Sequence, residues 1–312
     1  MPSVDHIAVT SQEAGQKLFQ FLQRRLGPDF PTSAIMRWIR SGQVRIDGGR
    51  AKPFTRLAAG QVVRVPPYRP PETAAVLHEL PETLHPRILY EDPTLLVVDK
   101  PSGLAVHPGT GHHATLMDWL GKRYRDVPWM PAPAHRIDQE TSGLLVVAKS
   151  YERLRELQSH WKRGEVRKVY LAWVRGVDAT YPTWTLLQDR MEKKAGQGGE
   201  RVRIGTGKHA LSWAKTLGGC GNERLLAVAL VTGRTHQIRV QLASRGTPIQ
   251  GDRKYGRGEE GSLFLHAWHL HWKDRSFTAP PPWPASLIPT DILHPERILA
   301  DLPFELPSSG KD

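Results

Sequence analysis

Apolar side chains recur at helical spacing near the start of the chain and at strand spacing through most of the rest. Leu18, Leu22 and Leu26 fall one turn apart, predicting a helix over residues 16–26 that Pro28 and Pro31 then end. Thr32 or Ser33 is placed to cap a second helix whose apolar stripe is Ile35, Met36 and Ile39. Two short strands follow, VRIDGGR (residues 44–50), turning at Asp47-Gly48-Gly49, and VVRVPP (residues 62–67). Together these elements predict a small α/β unit over residues 15–66. Residues 67–86, PYRPPETAAVLHELPETLHP, are proline-rich and aperiodic, as a semi-rigid linker would be.

From residue 87 the pattern becomes many short strands separated by Gly and Pro: LLVVDK, GLLVVAK, KVYLAWV, LLAVALV and LFLHAWHLHW. Helical stretches interrupt them at residues 115–123 and 151–163. So many strands with so few helices predict an α+β fold on a large mixed, mostly antiparallel sheet, not a doubly wound one. That unit is expected to run over residues 87–290, leaving a peripheral polar tail at 291–312.

Charge narrows the choice of partner. Lys and Arg number 43 against 31 Asp and Glu, a net charge of +12. Such an excess favours a polyanion, because each neutralised phosphate releases counterions. Residues 1–70 hold eleven Lys/Arg and four Asp/Glu, a surplus of seven. Arg24, Arg25, Arg37, Arg40 and Arg45 lie mainly off the apolar stripes and can form one basic face. A membrane partner is not expected, since no apolar run approaches the roughly 18 residues of a spanning helix. The start, MPSVDHIAVT, lacks the pattern of a secretory signal, and Cys220 is the sole cysteine. Internal disulfides and a cysteine-built zinc site are therefore excluded, and a cytoplasmic monomer is expected.

Candidate chemistry concentrates in His135-Arg136-Ile137-Asp138-Gln139-Glu140-Thr141-Ser142-Gly143, a polar loop ahead of an apolar strand. Taken alone, Asp138 could simply cap a turn and pair with Arg136. The whole stretch, HRIDQETSGLLVVAK, resembles the signature of the RluA-type pseudouridine synthases, HRLD-x-x-TSG-L-L, with Ile137 in place of leucine. Four more segments agree in order: YEDPTLLVVDKPSGLAVHP, RKVYLAWVRG, TGRTHQIRVQLASRGTPIQGDRKYG and LFLHAWHL. The small first unit resembles the RNA-binding module named after ribosomal protein S-four, which grips structured RNA with a helix pair and a following strand.

The resemblance implies the pseudouridine synthase fold and isomerisation of uridine to pseudouridine without a cofactor. It makes Asp138 the catalytic carboxylate, able to form a reversible covalent adduct. A cation should keep such an enclosed carboxylate ionised. The resemblance gives that part to Arg239, with Arg234 as the local rival. Tyr170 would stack on the target base and move a proton, although a tyrosine in an apolar strand also suits a core. Arg136 would fill the space left by the extruded base. His135, Thr141, Ser142 and Gly143 are expected to shape the loop, and Gly251, Asp252, Tyr255 and Gly256 to serve as scaffold.

VRVPPYRPPE and KPSGLAVHPGTG are most similar to the RluC and RluD branch, which implies large-subunit ribosomal RNA as substrate. A tRNA synthase, or an RNA-binding ribosome assembly factor without activity, are the alternatives. Departures from the family pattern are the Gly- and Lys-rich residues 192–208 and the hairpin HWKDRSFTAPPPWP. Other chemistries fit worse. His107, His112 and His113 with His135 suggest a metal cluster but bring no cysteine or paired carboxylate. Gly109-Thr110-Gly111-His112-His113-Ala114 fits a dinucleotide fingerprint but lies too far beyond its strand, with no acidic residue about 20 residues on. No phosphate-binding G-x-x-x-x-G-K-[ST] occurs.

Overall fold

The computed structural model describes residues 4–303 apart from 28–29, 69–77, 109–113, 126, 177–179, 195–200 and 257–260. The amphipathic pattern near the start folds as expected into α1 (Leu18–Leu26) and α2 (Thr32–Ser41). They pack on a four-stranded sheet of β1 (Asp5–Ala8), β2 (Arg45–Ile46), β3 (Gly49–Arg50) and β4 (Val62–Val65), ordered β1-β4-β2-β3. Its core is Leu18, Phe21, Leu22, Ile35, Ile39, Val44, Val63 and Val65. β1 lies ahead of residue 15 and pairs with β4 from Asp5 to Ala8. Neither Thr32 nor Ser33 caps α2: Pro31 takes the N-cap position and no side chain bonds there. Met36 is only partly buried, whereas Ile35 and Ile39 are fully so.

The second sheet holds the strands β5 (Arg87–Glu91), β6 (Leu95–Lys100), β7 (Ala132–Pro133), β8 (Ser142–Ala148), β9 (Arg167–Arg175) and β10 (Thr185–Lys194). It continues with β11 (Arg201–Ile204), β12 (Lys208–Cys220), β13 (Glu223–Leu230), β14 (Leu265–Trp272) and β15 (Arg275–Thr278). Among the described residues these make one eleven-stranded sheet with the path β11-β10-β12-β13-β9-β14-β8-β6-β5, β15 beside β14 and β7 beside β8. Only β14 and β8 pair in parallel, so the sheet is mixed and mostly antiparallel, as the pattern predicts. Helices α3 (Leu116–Arg123), α4 (Tyr151–Arg163), α5 (Gln237–Ala243) and α6 (Pro295–Leu299) complete it.

Central strands read as unbroken apolar runs because both faces are covered. On β9, Tyr170, Ala172 and Val174 enter the main core, while Val169, Leu171 and Trp173 enter a second one on the other face. That second core corrects the idea of a peripheral tail, since Ile292, Ile298 and Leu302 are buried in it. Residues 78–86 are likewise no free linker: Leu80 is buried in the main core and Glu82–Leu84 form a 3-10 turn.

The two units touch. The Tyr151 N–H donates to the Gln12 carbonyl at 2.9 Å, and the Arg24 guanidinium stacks 4.7 Å from the Trp129 ring. No helix among the described residues is long and apolar enough to cross a membrane.

Candidate active site

Asp138 sits in the loop between β7 and β8, on the wall of a cavity of about 330 Å³. That is near the small end of ligand-pocket volumes. The loop is held from several sides. Asp138 accepts the Thr141 N–H through its own carbonyl at 3.1 Å. Ser142 Oγ meets His266 Nδ1 at 2.8 Å. Gly143 has φ +107°, and a Cβ there would lie 2.3 Å from the Ala267 carbonyl oxygen. Glycine is thus required where β8 crosses close to β14.

His135 supports the same loop, as expected from its place in the sequence. Its Nε2 accepts the Val146 N–H at 3.1 Å and its ring stacks on Trp161 at 4.7 Å. Burial, then the charge of Lys168, brings its pKa down to about 3, so it stays neutral. From below, the buried Lys100 ammonium donates to the carbonyls of Pro101, Leu104 and Gln139, clamping the loop just past Asp138. Burial lowers the Lys100 pKa to about 7.

Arg239 opens the opposite wall from α5, whose residues 237–242 are all buried. Gln237 and Gln241 anchor that helix through bonds to the Leu211, Leu187 and Ala210 carbonyls. The Arg239 side chain is 3 % exposed and Asp252 is 1 % exposed. They form a two-pronged pair, Nε to Oδ2 at 2.8 Å and Nη2 to Oδ1 at 2.7 Å. Arg239 also lies 3.0 Å from Glu140 and 3.7 Å from Asp138. One guanidinium therefore faces three carboxylates, which raises its pKa despite burial. Arg234 turns away, donating through Nε to the His209 carbonyl at 2.9 Å. The geometry thus puts Arg239, and not Arg234, beside Asp138.

His236 is a member of the site that the sequence did not single out. It adopts left-handed backbone with φ 53°, which aims Nε2 to within 3.8 Å of Asp138 Oδ2. The Tyr255 hydroxyl accepts the Val202 N–H and bonds His236 Nδ1 at 2.8 Å. Donating to Nδ1 leaves the proton of the neutral ring on Nε2, facing the carboxylate. Asp252 and Tyr255, expected as scaffold, thus hold the two groups that flank Asp138.

Tyr170 lines the same cavity from β9 and is 9 % exposed. Burial and then the charge of Asp138 push its hydroxyl well above its usual pKa, so it stays protonated. Arg136 is exposed at the cavity rim, near enough to His107 to help lower that residue's pKa after burial.

The expected basic face of the small unit divides in two. Arg37, Arg40 and Arg45 are exposed on α2 and β2. Arg25 is instead bonded twice to Glu13, at 2.7 and 2.9 Å, and Arg24 is stacked on Trp129. Among the described residues no group of three His, Cys, Asp or Glu could hold a metal. His112 and His113, and most of the glycine fingerprint, lie outside the described residues, as do residues 195–200 of the Gly- and Lys-rich segment.

Residues 94–244, which include Asp138, Tyr170 and Arg239, match the RNA pseudouridylate synthase family. Ribosomal large subunit pseudouridine synthase C of Escherichia coli K12 is 38 % identical over 291 residues, covering 89 % of this chain and 90 % of that one. The chain belongs to the RNA pseudouridylate synthase family. A second family member, ribosomal large subunit pseudouridine synthase C of Yersinia pestis, is 38 % identical over 288 residues, covering 87 % of this chain and 88 % of its own. The fold agrees too. The solved structure of human RNA pseudouridylate synthase domain containing 1 aligns with a TM-score of 0.55 at 23 % identity, over 67 % of this chain and 89 % of that one.

Proposed function

We propose that this synthase isomerises uridines of large-subunit ribosomal RNA, with Asp138 as the catalytic carboxylate. The observation that carries the reading is one enclosed carboxylate facing a buried arginine at 3.7 Å in a cavity lined by Tyr170. The reaction breaks the bond from base nitrogen to ribose, turns the base, and rejoins it through carbon five. It consumes no redox equivalent, and the carboxylate holds one fragment while the other turns.

Arg239 and the Nε2 proton of His236 oppose loss of the Asp138 charge when a base closes the cavity. Because Asp252 takes the two strongest bonds of Arg239, the cation stabilises Asp138 without locking it. Tyr170 offers its ring as a platform. Its protonated hydroxyl can give a proton before it can take one. Arg136 at the rim is placed to enter the stack as the base leaves it.

Arg37, Arg40 and Arg45 present the phosphate-binding face of the small unit, an S-four-type module, while Arg24 and Arg25 brace the protein. Such an enzyme works as a cytoplasmic monomer without cofactor. The likeness to two large-subunit synthases over most of their length favours ribosomal RNA over tRNA. The intact site favours an enzyme over an inactive assembly factor. Incubation with transcribed large-subunit ribosomal RNA or tRNA, tritiated at uracil carbon five, tests both choices. Tritium should be released from the ribosomal transcript, and release from tRNA alone would refute the substrate.

A further inference from the structure

Lys168 stands two residues before Tyr170 on β9, so both side chains leave the same face of the sheet and line the same cavity. Its ammonium makes no hydrogen bond or ion pair among the described residues. The site offers it no partner. His135 is neutral, with Nε2 already bonded to Val146, and Arg136 and Arg234 are cations. Asp138, the carboxylate on the cavity wall, is flanked by Arg239 and His236. At Gly233, across the cavity, a Cβ would lie 3.9 Å from Lys168 Nζ, so the missing side chain leaves the ammonium open.

Enclosing an unpaired cation is costly unless something else supplies the oxygen it lacks. Burial brings the Lys168 pKa down to about 8, and among the described residues no side chain offsets it. The missing oxygen belongs to the bound nucleotide. An RNA strand cannot thread the cavity, so only one base and its ribose enter, and the sugar-phosphate chain stays at the rim. The exposed Arg234 suits a phosphate there. A cation beside Tyr170 on the cavity wall meets the base.

We propose that Lys168 is a further catalytic residue, donating a hydrogen bond to a carbonyl oxygen of the target uracil and stabilising its negative charge during isomerisation. The inference rests on the isomerase reading above but not on the route of attack. If Asp138 takes the ribose carbon, the base leaves with the electron pair of its nitrogen, shared with the carbonyl oxygens. If Asp138 adds to carbon six, the pair moves through carbon five onto a carbonyl oxygen. In both, the bond from nitrogen to ribose breaks, the bond from carbon five to ribose forms, the bond to Asp138 breaks and returns its electron pair to the carboxylate, and the proton of carbon five leaves to solvent. A proton returns to the base nitrogen. Lys168 keeps its own protons throughout and acts as a preorganised donor where charge develops.

The test compares Lys168→Met and Lys168→Arg with wild type on large-subunit ribosomal RNA transcript tritiated at uracil carbon five. RNA affinity, single-turnover release at saturating enzyme, and the melting temperature are measured. Lys168→Met should bind RNA within about threefold of wild type yet release tritium about 10²-fold more slowly, as losing one such donor does. Lys168→Arg should recover at least about tenfold of that loss, since it keeps the charge. The methionine variant should melt no lower than wild type, because it removes a partly buried charge with no partner among the described residues. A saturating rate within threefold of wild type would overturn the inference. So would lost affinity with an unchanged saturating rate, which would put the ammonium on the RNA backbone, or a lowered melting temperature, which would make Lys168 a structural residue. A wild-type protein that releases no tritium would sink the isomerase reading as well, which keeps the two failures apart.

Discussion

Replacing Asp252 by Asn isolates the device that keeps Arg239 from seizing Asp138. Asp252 Oδ1 accepts from Arg239 Nη2 at 2.7 Å, the Lys254 N–H at 2.9 Å and the Tyr255 N–H at 3.0 Å. Among the described residues Oδ2 accepts from Arg239 Nε alone, at 2.8 Å. An asparagine will place its oxygen where three donors converge, so its amide faces Arg239 Nε, donor against donor. Removing one partner of a buried ion pair costs about 3–5 kcal/mol. Arg239 keeps Glu140 at 3.0 Å, which places the expected loss toward the lower end, about 3 kcal/mol. Denaturant unfolding reads this directly. The freed guanidinium should also close on Asp138 from its present 3.7 Å and hold it as an ion pair. Single-turnover tritium release should therefore fall by at least about tenfold, equivalent to 1.4 kcal/mol of barrier, with RNA affinity nearly unchanged. A variant of wild-type stability and wild-type rate would refute the reasoning.

Three further outcomes follow from the same geometry. Tyr170→Phe keeps the ring and should lose about 10²–10⁴-fold in rate, while Tyr170→Leu should also lose roughly 1–3 kcal/mol of RNA binding, and two normal variants would make Tyr170 a core residue. Reversing Arg37, Arg40 and Arg45 to Glu should flatten the salt dependence of RNA binding, while Arg24→Gln should lower thermal stability and leave the slope unchanged; equal slopes for all would exclude the α2 face. The pKa values of His135, His266 and His269 are lowered by burial to about 3, 4 and 4. Below about pH 6.5 the unfolded chain binds protons that these rings refuse, so stability should be present above that pH and lost as pH falls toward 4, measured by thermal melts. A flat profile from pH 7 to 4 would contradict it.

What could be read from the chain beforehand was whatever its local pattern specified. Leu18, Leu22 and Leu26 announced α1, and the continuous apolar runs announced β6, β8, β9, β13 and β14. The strands β10 and β11 escaped notice because they are charge-rich and lie toward one edge of the sheet, and β12 because polar residues and glycines interrupt its apolar positions. Helix α5 escaped too, having only seven residues and burying Gln237, Arg239 and Gln241, which look like surface groups in a sequence. Asp138 and Arg239 were visible as members of resembling motifs. Their alignment through Asp252, Tyr255 and His236 was not, because a left-handed turn and contacts between separate strands leave no local signature. Lys100, between an aspartate and a proline, carried the look of a solvated strand end, yet it is fully buried under the loop.

In the proposed reaction Asp138 performs the chemistry and does not merely shape the loop. Among the described residues its carboxylate is met only by the longer contacts of Arg239 and His236, at 3.7 and 3.8 Å, whereas its backbone carbonyl, which an asparagine retains, holds Thr141. Asp138→Asn should therefore fold, melt near wild type and bind large-subunit ribosomal RNA transcript about as tightly, while releasing no tritium from uracil carbon five. Release within tenfold of wild type would remove Asp138 from the reaction.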